Sequence, residues 1–289
     1  MQKIVVPTDF SKNALIAVTY SSEVAQKTGA AIYLLHVLEP GVDVLIDSVA
    51  QVNVFTSEIV KGKMEQLAIV QKTNLENYPG IKVKTELARG TVVNSILDFA
   101  EGQQAAIIIM GTAGASGLKE FFMGSVAGET IRRAKIPVLT IPASYQMKES
   151  DKMLLATNHF EKNVALLKKI IAFSQLFSAV IYVVVFVDTD VEGIPEFKEY
   201  TNKLSQYIHF LEQTFPEIRF EGEVLDGKDF EITIDRYCNK HEVDIISMIT
   251  YPKTSLDRIL QKSVSKKMAF HSTIPLLVIH SLDDKAAMP

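Results

Sequence analysis

A chain of 289 residues is long for one compact domain and comfortable for two, each able to bury a core. Hydrophobic content of 47% with 22% charged residues of both signs excludes a disordered chain, and a net charge of −4 argues against a broad phosphate-contact surface for DNA or RNA. The one cysteine, Cys238, supports neither a disulfide framework nor a metal cage.

The chain opens on MQKIVVPTDF, which enters a strand at once and lacks the charged, apolar and small-residue sections of a secretion signal; a cytoplasmic location is the expectation. Residues 3–6 read as the first strand. Helical periodicity follows over 11–28, then a strand over 31–37, a helix over 52–78, a strand over 81–86 and a helix over 92–101. A fourth strand over 105–110 leads into a glycine-rich segment, a helix over 126–134 and a fifth strand over 137–141. Short β-rich runs alternating with longer helical segments predict an α/β fold with a parallel sheet. Near-continuous apolar strands predict burial on both faces, as in a doubly wound sheet of the flavodoxin or Rossmann kind. The ligand crevice of such a sheet lies off the carboxyl ends of the strands where strand order reverses, so the residues after the first and fourth strands matter most.

The segment after the fourth strand, GTAGASGLKEFFMGS from Gly111 to Ser125, joins a strand to a helix start. Glycines let the backbone approach a ligand, and the free N–H groups of a helix N-terminus favour an anion. Gly111 and Gly114 also suit an ordinary turn, whereas Gly124 heads a helix with Ser125 directly after it, a place where glycine is only a middling cap. The segment has no GK[ST] ending, so it is not a Walker loop and carries no hydrolysis machinery of that kind. Upstream, Asp9 follows the first strand and precedes Ser11; its carboxylate suits either ribose hydroxyls or helix capping, and Ser11 can cap alone. Val37, at the end of the second strand, offers backbone groups and an apolar face to a base, although a core valine has the same sequence signature.

The second half repeats the first. Residues 107–141 overlie 245–279 without a gap, and KIVVPTDF overlies KMLLATNHF with one added residue. The pattern predicts two tandem domains, 1–144 and 151–281, each a five-stranded parallel sheet flanked by helices, with a polar join over 143–151. The longest apolar run, residues 179–187, is about half of a bilayer-crossing helix and reads as a buried strand, so no membrane partner is expected. In the second copy Gly111 becomes Ile249, Gly114 becomes Pro252, Gly124 becomes Lys262 and Asp9 becomes Asn158; only Ser125 keeps its type, as Ser263. Branched and ring-locked residues deny the open approach that glycine provides, and the second copy is expected to lack the ligand approach of the first.

On these features, PTDFS after the first strand, LLHV in the second, MGTAGASGL with the later GS, and the terminal IPVLTIP, the chain resembles a tandem universal stress protein. Gly111, Gly114, Gly124 and Ser125 match that family's ATP-binding pattern G-x2-G-x9-G-[ST]. The resemblance implies Pro7, Thr8, Asp9 and Val37 on the nucleoside side. It implies Met110, Gly111 and Gly114 at the ribose and phosphate approach, and Gly124, Ser125 and Val126 at the phosphates. The ligand implied is ATP, with ADP or AMP as alternatives and Mg²⁺ as companion. The role implied is a stress-response or signalling module with an unidentified protein partner; a slow ATPase, or a module for another small molecule or protein, are the alternatives. Pairing of the last strands, IPVLTIP and IPLLVIH, into an intramolecular pseudo-dimer is implied as well, with a homodimer of chains beyond it. No catalytic residue and no metal ligand is assigned. The six histidines lack metal-ligand spacing, His36 reads as structural, Cys238 as a small buried hydrophobe and Arg89 as solvated.

Overall fold

Branched apolar residues in short runs cannot fill an exposed strand; they need neighbours above and below, and helices supply them. The computed structural model describes residues 3–39, 49–112, 124–146, 148, 151–188, 194–251 and 273–281, with backbone alone at 49–56 and 194–196. The chain divides into two units, Met1–Ala143 and Ser144–Pro289.

Among the described residues the first unit runs β1 (Lys3–Pro7), α1 (Lys12–Thr28), β2 (Ala31–Leu38), α2 (Val49–Asn77), β3 (Lys82–Arg89), α3 (Val92–Gly102), β4 (Ile107–Gly111), α4 (Ser125–Arg133) and β5 (Val138–Ile141). Its strands lie in the order β3-β2-β1-β4-β5, with every pair parallel. Helix α1 packs on β1, β4 and β5 with α2 beside it on β2 and β3, while α3 rests on β2 next to α4. Ile4, Val5, Ile32, Leu34, Ile108 and Ile109 are wholly buried, each contributing about 1.5–3 kcal/mol of hydrophobic stabilisation. Ser11 caps α1 by accepting from the Ala14 N–H, and Gly29 ends it in the left-handed conformation at φ 67°, where its N–H reaches Ala25 O.

The third strand runs three residues past its predicted end at 86. Leu87, Ala88 and Arg89 pair with His36, Val37 and Leu38, and because β3 is an edge strand its exposed side carries polar residues that blur the apolar signal. Conversely, β4 begins later than expected and includes Gly111 as its last residue.

The second unit repeats the arrangement with β6 (Lys152–Ala156), α5 (Val164–Gln175), β7 (Val180–Asp188), α6 (Ile194–Thr214), β8 (Phe220–Gly227), α7 (Phe230–His241), β9 (Ile245–Thr250) and β10 (Leu276–His280). Its parallel order is β10-β9-β6-β7-β8. The apolar run at 179–187 forms β7, paired on both sides. Among the described residues no helix is long and apolar enough to cross a membrane.

Candidate functional site

In the first unit β1 sits between β2 and β4, so strand order reverses there and a crevice opens at the carboxyl ends of β1 and β4. A cavity of about 290 Å³ occupies that place. Nine of the ten residues singled out in the sequence line it: Pro7, Thr8, Asp9, Val37, Met110, Gly111, Gly124, Ser125 and Val126. Gly114, like Gly117, lies outside the described residues.

Local bonding fixes the β1 side. The Thr8 N–H donates to Leu35 O at 2.8 Å, Thr8 Oγ1 accepts from the Phe10 N–H at 3.1 Å, and Phe10 turns the chain at φ 66°. Asp9 Oδ1 accepts from the Ser11 N–H at 3.0 Å, which leaves an exposed carboxylate at the rim. Ser11 alone caps α1, so Asp9 is not the helix cap. The β1–β2 ladder ends at Pro7–Leu35. Alternation sends the N–H and C=O of Val37 to the same side as those of Leu35, beyond the last β1 partner, and this backbone edge faces the Asp9 side of the cavity.

The opposite wall is the start of α4. Gly124 caps it with φ −62° and ψ 156° and no side-chain bond. Its first intrahelical bond is Gly128 N–H to Gly124 O at 3.0 Å, so the N–H groups of Ser125, Val126 and Ala127 precede the helical ladder and carry its positive dipole end. The cavity therefore has an anionic rim at Asp9, an apolar middle built by Leu35, Val37, Ile96 and Met110, and an electropositive end at α4.

Gly111 has a packing reason of its own. A Cβ there would lie 2.5 Å from Asn13 Oδ1 and 3.1 Å from the Asn13 carbonyl carbon, and Asn13 is buried with its Nδ2 donating to Ile141 O at 3.0 Å. The first domain's own architecture thus demands glycine at 111, which the comparison with Ile249 by sequence does not reveal.

His36 also lines the cavity. Its Nδ1 lies 2.8 Å from Thr8 O, and since a carbonyl only accepts, Nδ1 carries the hydrogen. Phe10 packs on the ring at 4.6 Å. Burial pushes the His36 pKa below its ordinary value of 6.5, with the bond to Thr8 opposing in part. The unfolded chain then binds a proton more readily than the folded one, so stability is full above the ordinary imidazole value and falls as pH drops below it. The expected result is a melting midpoint that declines from about pH 7 to about pH 5 less steeply in His36→Gln than in the native chain; equal slopes overturn it.

Ala14, Leu35, Val92, Ile96, Thr112 and Ala127 line the cavity without having been singled out. Val92 and Ile96 sit one turn apart on one face of α3, a spacing visible in the sequence but indistinguishable there from core packing. Arg89 is exposed and outside the lining. Cys238 is buried, its thiol pushed up to about 12 by desolvation, in keeping with a packing role. Among the described residues no group of three His, Cys, Asp or Glu could hold a metal ion.

The second unit treats the same place differently. Thr157 N–H donates to Val184 O as Thr8 does to Leu35, which puts Asn158 at the Asp9 position and Phe186 at the Val37 position. Asn158 Nδ2 donates to Phe186 O at 3.0 Å and its Oδ1 accepts from the Phe186 N–H at 3.2 Å. The backbone edge left open at Val37 is therefore closed from within, and the Phe186 ring meets Phe230 edge-on at 5.4 Å. Ile249 stands where Gly111 does; Pro252, Lys262 and Ser263 lie outside the described residues.

The model of the universal stress protein family matches residues 1–142. Two universal stress proteins of Methanocaldococcus jannaschii are similar to this chain. One is 33% identical over 140 residues, covering 48% of this chain and 81% of the relative; the other is 31% identical over 152 residues, covering 48% and 94%. The solved structure of a universal stress protein from Archaeoglobus fulgidus matches 96% of this chain and 98% of its own with a TM-score of 0.71 at 18% identity, a likeness of fold.

Proposed function

The chain belongs to the universal stress protein family, and from that premise we propose that it binds one adenine nucleotide, ATP in the first instance, in the cavity of its first domain, and that occupancy there governs its contacts with a partner in stress response or signalling. What carries the reading is the meeting in one cavity of three unlike groups: the open backbone edge at Val37, the Asp9 carboxylate and the helix start at Gly124. A nucleotide has the matching order of parts. Its base suits a backbone donor–acceptor pair within apolar walls, its ribose hydroxyls suit a carboxylate, and its phosphates suit the N–H groups at a helix start. Reversing the ligand would set phosphates against Asp9, which like-charge repulsion opposes.

The second domain supports a single site per chain. Asn158 takes the two bonds that a base would take from Phe186, whose ring is in turn packed against Phe230. The order of domains follows as part of the same proposal: residues 1–144 as the nucleotide-binding half and 151–281 as a half with another use.

Calorimetric titration of the purified chain with ATP and Mg²⁺ tests the reading. The expected stoichiometry is one per chain, and Gly124→Val is expected to weaken ATP by more than about tenfold, because a branched side chain at the helix start crowds the anion approach. Undiminished ATP affinity in Gly124→Val, or two sites per chain, counts against it. Phosphate release in the same samples, compared with Asp9→Ala, decides whether slow hydrolysis accompanies binding.

A further inference from the structure

The second domain holds a separate cavity of about 410 Å³, lined by His159, Phe160, Glu161, Lys162, Lys203, Gln206, Tyr207 and Tyr251. It lies on the α6 side of the β6–α5 turn, and none of its residues corresponds to the wall formed by Asn158 and Phe186. Its floor contains a buried carboxylate that forms no ion pair among the described residues. Glu161 is only 8% exposed; its Oε1 accepts from the Asn163 N–H at 2.6 Å and its Oε2 accepts from the Tyr251 hydroxyl at 2.7 Å. Both donors are neutral, and among the described residues no lysine, arginine or histidine forms an ion pair with Glu161. Buried charges in proteins are ordinarily paired, because desolvating a lone carboxylate is costly.

A second buried group is unsatisfied at the same place. Tyr207 is 1% exposed, its hydroxyl has no hydrogen-bond partner among the described residues, and burial, with the Glu161 charge adding to it, raises its pKa. The rings of Phe160 and Tyr207 meet edge-on at 5.6 Å, and His159 packs edge-on against Tyr251 at 4.8 Å, so the carboxylate is framed by aromatic faces and edges. At the mouth stand two cations already engaged elsewhere: Lys203 pairs with Glu199 at 2.6 Å and Lys162 lies over the Phe210 ring at 5.9 Å. Among the described residues the cavity thus runs from a negative floor without an ion-pair partner, beside an idle hydroxyl, to a mouth with two lysines.

We propose that this cavity binds a small amino-carboxylate zwitterion, its ammonium group on Glu161 and Tyr207 and its carboxylate beside Lys162 and Lys203. An ammonium group supplies the charge that Glu161 lacks and three donors, of which one satisfies the Tyr207 oxygen. The surrounding rings add cation–π attraction, which strengthens when water is excluded. A simple anion leaves Glu161 uncompensated, and a simple cation must pass the two lysines with nothing to offer them. Selection for a zwitterion follows from the separation of the two charges along the cavity.

The test uses the full chain and three probes of one size: β-alanine, propionate and propylamine, titrated by calorimetry and followed by ligand-observed NMR. β-Alanine is expected to bind at least about tenfold more tightly than propionate, with propylamine between them. Glu161→Gln is expected to erase the preference for β-alanine over propionate, and Tyr207→Phe, which keeps the ring packing, to reduce it several-fold. If Glu161→Gln fails to fold, Tyr207→Phe carries the test alone. Equal binding of propionate and β-alanine, absence of β-alanine binding up to about 10 mM, or an unaltered preference in Tyr207→Phe overturns the proposal.

Discussion

Replacing Gly111 by alanine is expected to destabilise the first domain by about 2–3 kcal/mol, the cost of forcing a methyl group into a filled core position. The new Cβ would stand 2.5 Å from Asn13 Oδ1 and 2.8 Å from its Cγ. Asn13 has little room to yield: it is 6% exposed, and its Nδ2 ties α1 to β5 through Ile141 O. Swinging it aside would break that bond, leaving Ile141 O with the Thr112 N–H at 3.1 Å as its donor, and a lost buried hydrogen bond costs about 0.5–1.5 kcal/mol. Chemical denaturation of the two variants Gly111→Ala and Gly111→Ala/Asn13→Ala measures this. Removing the Asn13 side chain is expected to restore part of the loss and not all, since the Asn13 carbonyl carbon at 3.1 Å remains. An unchanged midpoint in Gly111→Ala refutes the packing account. The outcome also bears on the proposed nucleotide binding: a weaker ATP affinity in a Gly111 variant would report a disturbed domain, whereas the same result at Gly124 would report the proposed site.

The second large effect is expected at Asp244, which is 3% exposed and lies just before β9. Its Oδ2 accepts from the N–H groups of Asp151 and Lys152 at 3.0 Å each, and its own N–H donates to Lys152 O at 2.9 Å. Lys148 pairs with its Oδ1. The carboxylate thereby fixes the chain where it enters β6, the central strand of the second domain. Asp244→Ala is expected to cost about 2–4 kcal/mol, because two part-buried N–H groups lose a charged acceptor. Lys148→Ala should cost less than about 1 kcal/mol, since its half-exposed ammonium is screened by water. Unfolding midpoints separate the two, and amide exchange at Asp151 and Lys152 should accelerate in Asp244→Ala alone. Equal losses in both variants would mean that the ion pair, and not the backbone bonds, does the holding.

Much of the first domain was legible in order of its elements. Residues 3–6, 31–37 and 137–141 predict β1, β2 and β5 to within a residue or two at each end because their apolar runs are short, β-branched and bounded by polar turns. The edge strand β3 was cut short because one of its sides faces solvent, so the pattern that marks its neighbours fades after residue 86. Helix α2 begins at Val49 and not at 52, within the usual uncertainty of helix ends. The glycine pattern and the strand order pointed to the crevice off β1 and β4, where a cavity lies, yet Val92 and Ile96 joined its wall unannounced, since a cavity-facing apolar residue and a core residue carry the same side chain.

By itself the sequence determined the alternation of strands and helices, the duplication, and the asymmetry between a glycine-bearing and a glycine-free copy. Each is a property of neighbours along the chain or of a repeat along it, and periodicity records such things directly. Only the tertiary structure decided that Gly111 makes room for Asn13, that Asn158 closes the backbone edge of Phe186, and that Glu161 lies buried beside Tyr207 and Tyr251. These pairs stand 98, 28, 46 and 90 residues apart in the chain, and the last two separations are bridged only when β6, α6 and β9 have assembled. Contacts of that range depend on which strands become neighbours and how deeply each side chain is desolvated, and neither quantity is written in local pattern.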